Sequence, residues 1–206
     1  MADALATTEA REGRRELRQQ QIVELAIGLF ADCGYHGVGV DLIGQKAGMS
    51  GPAIYSYFSG KGEILTCIFD TAVQKLCQGA EQAMSNGDSL DRMKQLVRFH
   101  LSFVLADLRL SSVYVTERRN LPANTWPAIR AMQRTYIDHW MRAIGDIRPD
   151  LSAAHSRMLA ESMIGMVNSL AFYRTSLPKA SRRAFLQEII MTAVTSANGT
   201  SNEAIK

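Results

Sequence analysis

The residues able to do covalent chemistry are few and scattered. The histidines at 36, 100, 139 and 155 have no spacing that would bring two of them to one metal ion. Cys33, Cys67 and Cys77 form no CxxC pair, which predicts a reducing, cytoplasmic setting and no structural zinc. Gly37-Val38-Gly39 lacks the third glycine and the preceding strand of a dinucleotide fingerprint, and neither a P-loop nor a GxSxG occurs. An enzyme would have no residues to work with, and no cofactor is expected. The densest chemistry lies instead in Ser50 to Tyr57, SGPAIYSY. It offers hydroxyls at Ser50, Tyr55, Ser56 and Tyr57, and small apolar surface at Pro52 and Ala53. These groups suit recognition.

The elements that must position them are legible around Gly48-Met49-Ser50. Leu42, Ile43 and Ala47 give an apolar face to a short helix before this turn, and Ala53, Ile54 and Phe58 give one to a helix after it. Gly48 suits a left-handed helix end, Ser50 an N-cap, and Pro52 the first helical turn. This is the arithmetic of a helix-turn-helix, whose second helix enters a DNA major groove. Before it, Ile22, Leu25, Ala26, Leu29, Phe30 and Cys33 mark one face of a helix ended by Gly34. After it, helices are expected over about 61–79, 90–107, 113–118, 128–144, 152–176 and 185–194, with breaks at Asn86-Gly87-Asp88, Pro122, Pro149 and Pro178. Residues 1–10 and 196–206 read as polar tails. No stretch alternates as a strand would, so the fold class is all-α. The chain of 206 residues is 47% hydrophobic with a net charge of +3, ordinary for a globular protein. No apolar run approaches a membrane span, and the N-terminus is not signal-like. Residues 1–62 hold six Lys/Arg (Arg11, Arg14, Arg15, Arg18, Lys46, Lys61) against seven Asp/Glu, which argues against a non-specific nucleic-acid binder.

Residues 22–69 resemble the N-terminal domain of the TetR/AcrR family of transcriptional regulators. The resemblance rests on Leu29-Phe30, Gly34-Tyr35, Ile43, Ala47-Gly48, Ser50, Tyr55, Phe58 and Lys61 in one ungapped block. It implies a homodimer that binds operator DNA and lets go when a small molecule fills a cavity in the C-terminal part. It implies the division into a mobile basic arm (1–15), a DNA-binding domain (16–62), and a ligand-binding and dimerisation domain (63–206) entered by a connecting helix (63–79). It also implies that Tyr35, Tyr57 and Lys61 touch phosphates. Three positions depart from the family's habit. Gly39 replaces a Ser or Thr cap, Gly44 replaces Ala, and Gly51 stands where a lysine is often found.

The recognition helix therefore has no charged side chain from Ser50 to Phe58. The expected contacts are Ser50, Gly51, Pro52, Ala53, Tyr55, Ser56 and Tyr57 in the groove, Gln45 beside it, and Arg14, Arg15 and Arg18 from the arm. For these arginines a solvated helical turn competes with contact, as internal packing does for Tyr55. Candidates to line an apolar effector cavity are Phe99, His100, Phe103, Tyr114, Arg118, Trp126, Met132, Tyr136, Met163, Met166, Asn168 and Tyr173. Core packing is the competing role for each of them, and for His100, on an otherwise apolar face, a satisfied core histidine is the commoner outcome. The cavity suits acyl-CoA or a hydrophobic acid, with repression as the expected mode. The dimer face is expected on Phe185, Leu186, Ile189, Ile190 and Ala193. A helical protein-interaction module is the alternative to a regulator. Base readout is expected through apolar contacts, hydroxyls and DNA shape. Operator mutagenesis checks this, and discrimination concentrated at guanines touched by residues 50–57 would contradict it.

Overall fold

The computed structural model describes residues 2–173 and 175–196, with side chains from residue 11 onward. The side chains of the expected N-terminal tail, and all but the first residue of the expected C-terminal one, lie outside the described residues. Among the described residues all regular structure is helical: α1 (Ala2–Cys33), α2 (Val40–Lys46), α3 (Gly51–Ile54), α4 (Lys61–Met84), α5 (Ser89–Ala106), α6 (Leu108–Thr116), α7 (Trp126–Ile147), α8 (Ala153–Asn168) and α9 (Lys179–Thr195). They form two compact units. One comprises Met1–Ala72 with Leu108–Arg130, the other Val73–Asp107 with Ala131–Lys206. The domain boundary expected at 62/63 does not coincide with this division, because α6 and the loop after it pack with the N-terminal helices.

In the first unit, α1 buries Ile22, Ala26 and Phe30 at i, i+4 spacing, while Cys33 at the end of the same stripe is exposed. These side chains share a core with Val38, Ile43, Ile54, Phe58, Ile64, Leu65, Ile68, Phe69 and Val113. Burying a side chain of this size contributes about 1.5–3 kcal/mol, so the short helices are held by this core rather than by their own propensity. Gly34 and Gly48 take φ of 70° and 65° and end α1 and α2, as their positions predict. The helix-turn-helix is tighter than the sequence suggests. A Cβ on Gly44 would come 3.1 Å from the Gly51 backbone nitrogen, so the two glycines let α2 and α3 approach at backbone distance. The recognition helix is correspondingly short, one turn from Gly51 to Ile54, with residues 55–57 in a turn.

In the second unit, α5 packs against α8 and α9 through Met93, Leu96, Val97, Leu101 and Val104. Gly87, at φ 91°, makes the expected break, and Asp88 Oδ1 caps α5 by accepting from Asp91 N at 2.8 Å. Ser152 caps α8 in the same way through His155 N. The helix expected over 152–176 stops at Asn168, where Ser169 Oγ donates to the Met166 carbonyl and a 3-10 turn follows. The segment expected as a basic arm is helical from Ala2 onward, continuous with the rest of α1.

Candidate nucleic-acid interface

A one-turn helix closes too few internal bonds to fix its own direction. On its entry side, Ser50 is extended and makes no side-chain cap bond, so the expected N-cap role fails and Pro52 in the first turn carries the start. On its exit side the carbonyls are taken by α1. Arg15 Nη2 donates to Ser56 O at 3.2 Å, and Gln19 Nε2 donates to Tyr57 O at 3.2 Å. One position along, Arg18 Nη2 donates to Ala47 O at 3.0 Å, at the end of α2. Three side chains of one α1 face thus satisfy carbonyls that the short helix and its turn leave open. Gln19 was missed from sequence. Its i,i+4 spacing from Arg15 was the available signal.

The outer face of the motif presents Gln45, Ser50, Pro52, Tyr55 and Ser56, all exposed, with Gly51, Ala53 and Tyr57 half-buried. Tyr55 is 58% exposed, which decides against internal packing. Ser56 Oγ already donates to Ala53 O at 2.7 Å. Arg14 is exposed on α1. Phe58, 4% exposed, belongs to the core. Lys61 is half-buried: Nζ donates to Tyr35 O and Val38 O, both at 2.9 Å, and lies 4.4 Å from the Tyr35 ring centroid. Two of its three donors therefore hold the loop between α1 and α2. Burial pushes the Tyr35 hydroxyl up in pKa, keeping it a donor. At the head of α4, Glu63 Oε2 accepts from Ser59 N at 2.6 Å, and that bond lowers its pKa, placing a fixed negative charge there.

The same unit ties α1 and the loop after it to α6 and the 3-10 turn that follows α6. Arg109 pairs with Asp32 at 3.2 Å, and His36 Nε2 meets Asn120 Oδ1 at 2.9 Å. Asn120 Nδ2 in turn donates to the buried Glu117 Oε2 at 2.6 Å. Three of the expected cavity residues lie here rather than with the others. Tyr114 stacks on Phe69 with centroids 4.9 Å apart, and the Arg118 guanidinium lies over Trp126.

The remaining candidates fall in the second unit, and the structure splits them. His100, Tyr136 and Met163 are buried, Phe99, Phe103, Met132 and Asn168 are half-buried, and Met166 and Tyr173 are exposed. Phe99 lies across Gly79, where any Cβ would collide with its ring. His100 Nδ1 meets Tyr136 Oη at 2.9 Å, and its ring stands edge-on to Trp140. The buried Trp140 Nε1 has no acceptor. His100 Nε2 makes no well-formed hydrogen bond, although it leans on the Ile164 main chain. Of the expected dimer residues, Phe185 and Ala193 are exposed, Leu186 and Ile189 half-buried, and Ile190 fully buried in α9, which packs on α5. Ile190 is thereby corrected to a core role. Among the described residues no three His, Cys, Asp or Glu stand together as a metal site, and no helix is long and apolar enough to cross a membrane.

A supported helix-turn-helix joined to a second helical unit defines a DNA-binding regulator. Residues 22–66 match the description "Bacterial regulatory proteins, tetR family", and residues 86–172 match "Tetracyclin repressor-like, C-terminal domain". The chain is 30% identical over 165 residues to the HTH-type transcriptional activator FasR of Mycolicibacterium smegmatis, covering 77% of this chain and 73% of that one. It is 24% identical over 122 residues to the fatty acid metabolism regulator protein of Bacillus subtilis, covering 59% and 63%. Among solved structures, AibR in complex with isovaleryl coenzyme A and operator DNA superposes with a TM-score of 0.74 at 17% identity, over 85% of this chain and 97% of that one. This chain belongs to the TetR family of transcriptional regulators and is not an enzyme.

Burial lowers the His100 pKa from 6.5 to about 4, so the folded protein holds it neutral. Between these values the unfolded chain binds more protons. The stabilisation is complete above about pH 6.5 and is lost as pH falls toward 4, up to about 3 kcal/mol. Urea unfolding at pH 7 and pH 5 is expected to show a smaller pH effect in a His100→Gln variant than in the parent. Equal effects in both would contradict the assignment.

Proposed function

We propose that the protein is a homodimeric regulator that releases its operator on binding an acyl-CoA. The observation that carries this reading is the buried Trp140 N–H without an acceptor, beside the His100–Tyr136 pair in an otherwise apolar core. An orphaned indole donor costs about 1–3 kcal/mol, which an acyl carbonyl would recover. The buried apolar residues of the same unit, Met93, Leu101 and Met163 among them, suit an acyl chain. The Bacillus subtilis relative named for fatty acid metabolism and the neighbour solved with isovaleryl coenzyme A support the same ligand class. Met158, Phe172, Tyr173, Leu177 and Phe185 leave large apolar surface exposed on the second unit, which favours a second copy as partner.

In this account Ser50, Gly51, Pro52, Ala53, Tyr55 and Ser56 face the groove, while Tyr35, Tyr57 and the third donor of Lys61 reach phosphates. Gln45 and Arg14 flank them, and Arg15 and Arg18 position the motif from behind. The chain passes between its units within α4, at Asp107 and within α7. Effector binding acts through those crossings by shifting the spacing of the paired recognition helices away from about 34–36 Å, the separation of successive major grooves. FasR is described as an activator, so repression by this chain depends on its operator overlapping a promoter.

The test is thermal unfolding and operator binding with acyl-CoAs of graded chain length, against free coenzyme A and free fatty acids. A stabilised protein and at least about tenfold weaker operator binding with acyl-CoA alone are expected. An effect from the free acid alone would assign the acid instead. No effect from any acyl compound would remove this effector class.

A further inference from the structure

We propose that Asp41 is a specificity-determining residue of the operator interface, a pure acceptor that selects cytosine at the base pair facing the start of α3. The geometry is a direct juxtaposition. Asp41 Oδ1 occupies the space that a Cβ on Gly51 would fill, and Asp41 Cα lies 3.3 Å from that point. A carboxylate from α2 therefore sits against the first residue of the recognition helix. In helix-turn-helix docking, the N-terminal residues of that helix meet base edges. Asp41 is exposed and enters no ion pair among the described residues, so its charge is available to a ligand. No side chain from Ser50 to Phe58 carries a charge of its own. Asp41 is thus the charged group that the geometry places at this end of the reading surface.

The chemistry of the groove then restricts the partner. Guanine presents two acceptors, N7 and O6, which a carboxylate meets with repulsion. Thymine presents an acceptor and a methyl group, and adenine sets an acceptor beside its N6 donor. Cytosine N4 offers a donor with no acceptor next to it on its own edge. A carboxylate desolvated against guanine or thymine is left unpaired, and against adenine its bond to N6 is opposed by the N7 acceptor beside it, which makes the wrong sequence costly. The sequence preference at this base pair then comes from outside residues 50–57. The inference rests on α3 entering the major groove.

The test is selection of bound duplexes from a randomised pool by the full-length protein and by Asp41→Asn and Asp41→Ala variants, with folding checked by thermal unfolding. The wild type is expected to enrich a motif with cytosine at one position in each half, at least about tenfold over other bases. Asp41→Asn is expected to move the preference at that position to adenine, because a carboxamide pairs with N6 and N7 together, and to leave the rest of the motif unchanged. Asp41→Ala is expected to lose the preference there. Recovery of one unchanged motif by all three proteins would overturn the proposal. So would a uniform gain in affinity across sequences, which would mark Asp41 as a general repulsion of phosphates. Failure of the wild type to enrich any motif would overturn the operator reading itself, and this proposal with it.

Discussion

A recognition helix of one turn cannot orient itself, and the arrangement of the first unit follows from that constraint. Nucleating a helix fixes several dihedrals for each early hydrogen bond, so Gly51–Ile54 depends on outside contacts for its direction. Arg15 and Gln19 take the carbonyls behind it, Arg18 takes the end of α2, and Lys61 holds the loop that leads into α2. Ile54 and Phe58 then anchor it to the core. Arg15, Arg18 and Lys61 are thereby occupied in holding the motif, and the outer face of α3 carries hydroxyls, a tyrosine and small apolar side chains.

The departures of this chain from the family's habit at 44 and 51 belong together. Gly44 removes the methyl that would strike the Gly51 backbone, and Gly51 removes the side chain that would strike Asp41. A side chain at 51 would require the exposed Asp41 carboxylate to turn aside. Gly44 loosens α2 by up to about 1 kcal/mol, which the closer backbone contact offsets.

The helix-turn-helix, the break at Gly87 and the faces of α1, α4 and α5 were legible in the sequence because they are local. Periodicity marks a buried face, and a left-handed glycine marks an end. What stayed hidden was which faces meet. Gln19 and Tyr57 are 38 residues apart, and His36 and Asn120 are 84 apart, so nothing in either stretch announces the pairing. For the same reason Tyr114, Arg118 and Trp126 read as cavity candidates although they pack with the N-terminal helices. Ile190 read as a dimer residue because its apolar stripe is continuous, yet it is buried within the protomer. Local competition was also missed, as where Ser169 ends α8.

Arg15 bonds the turn after α3 and Arg18 the end of α2, and in the proposed interface both hold the helix-turn-helix rather than the DNA. The salt dependence of operator affinity tests it most directly, measured for the wild type, Arg15→Ala and Arg18→Ala. Each phosphate contact contributes about one unit to the slope of log affinity against log salt. The account predicts weaker binding by both variants with the wild-type slope retained. A slope reduced by about one for each arginine removed would show that these side chains neutralise phosphates, and would contradict it.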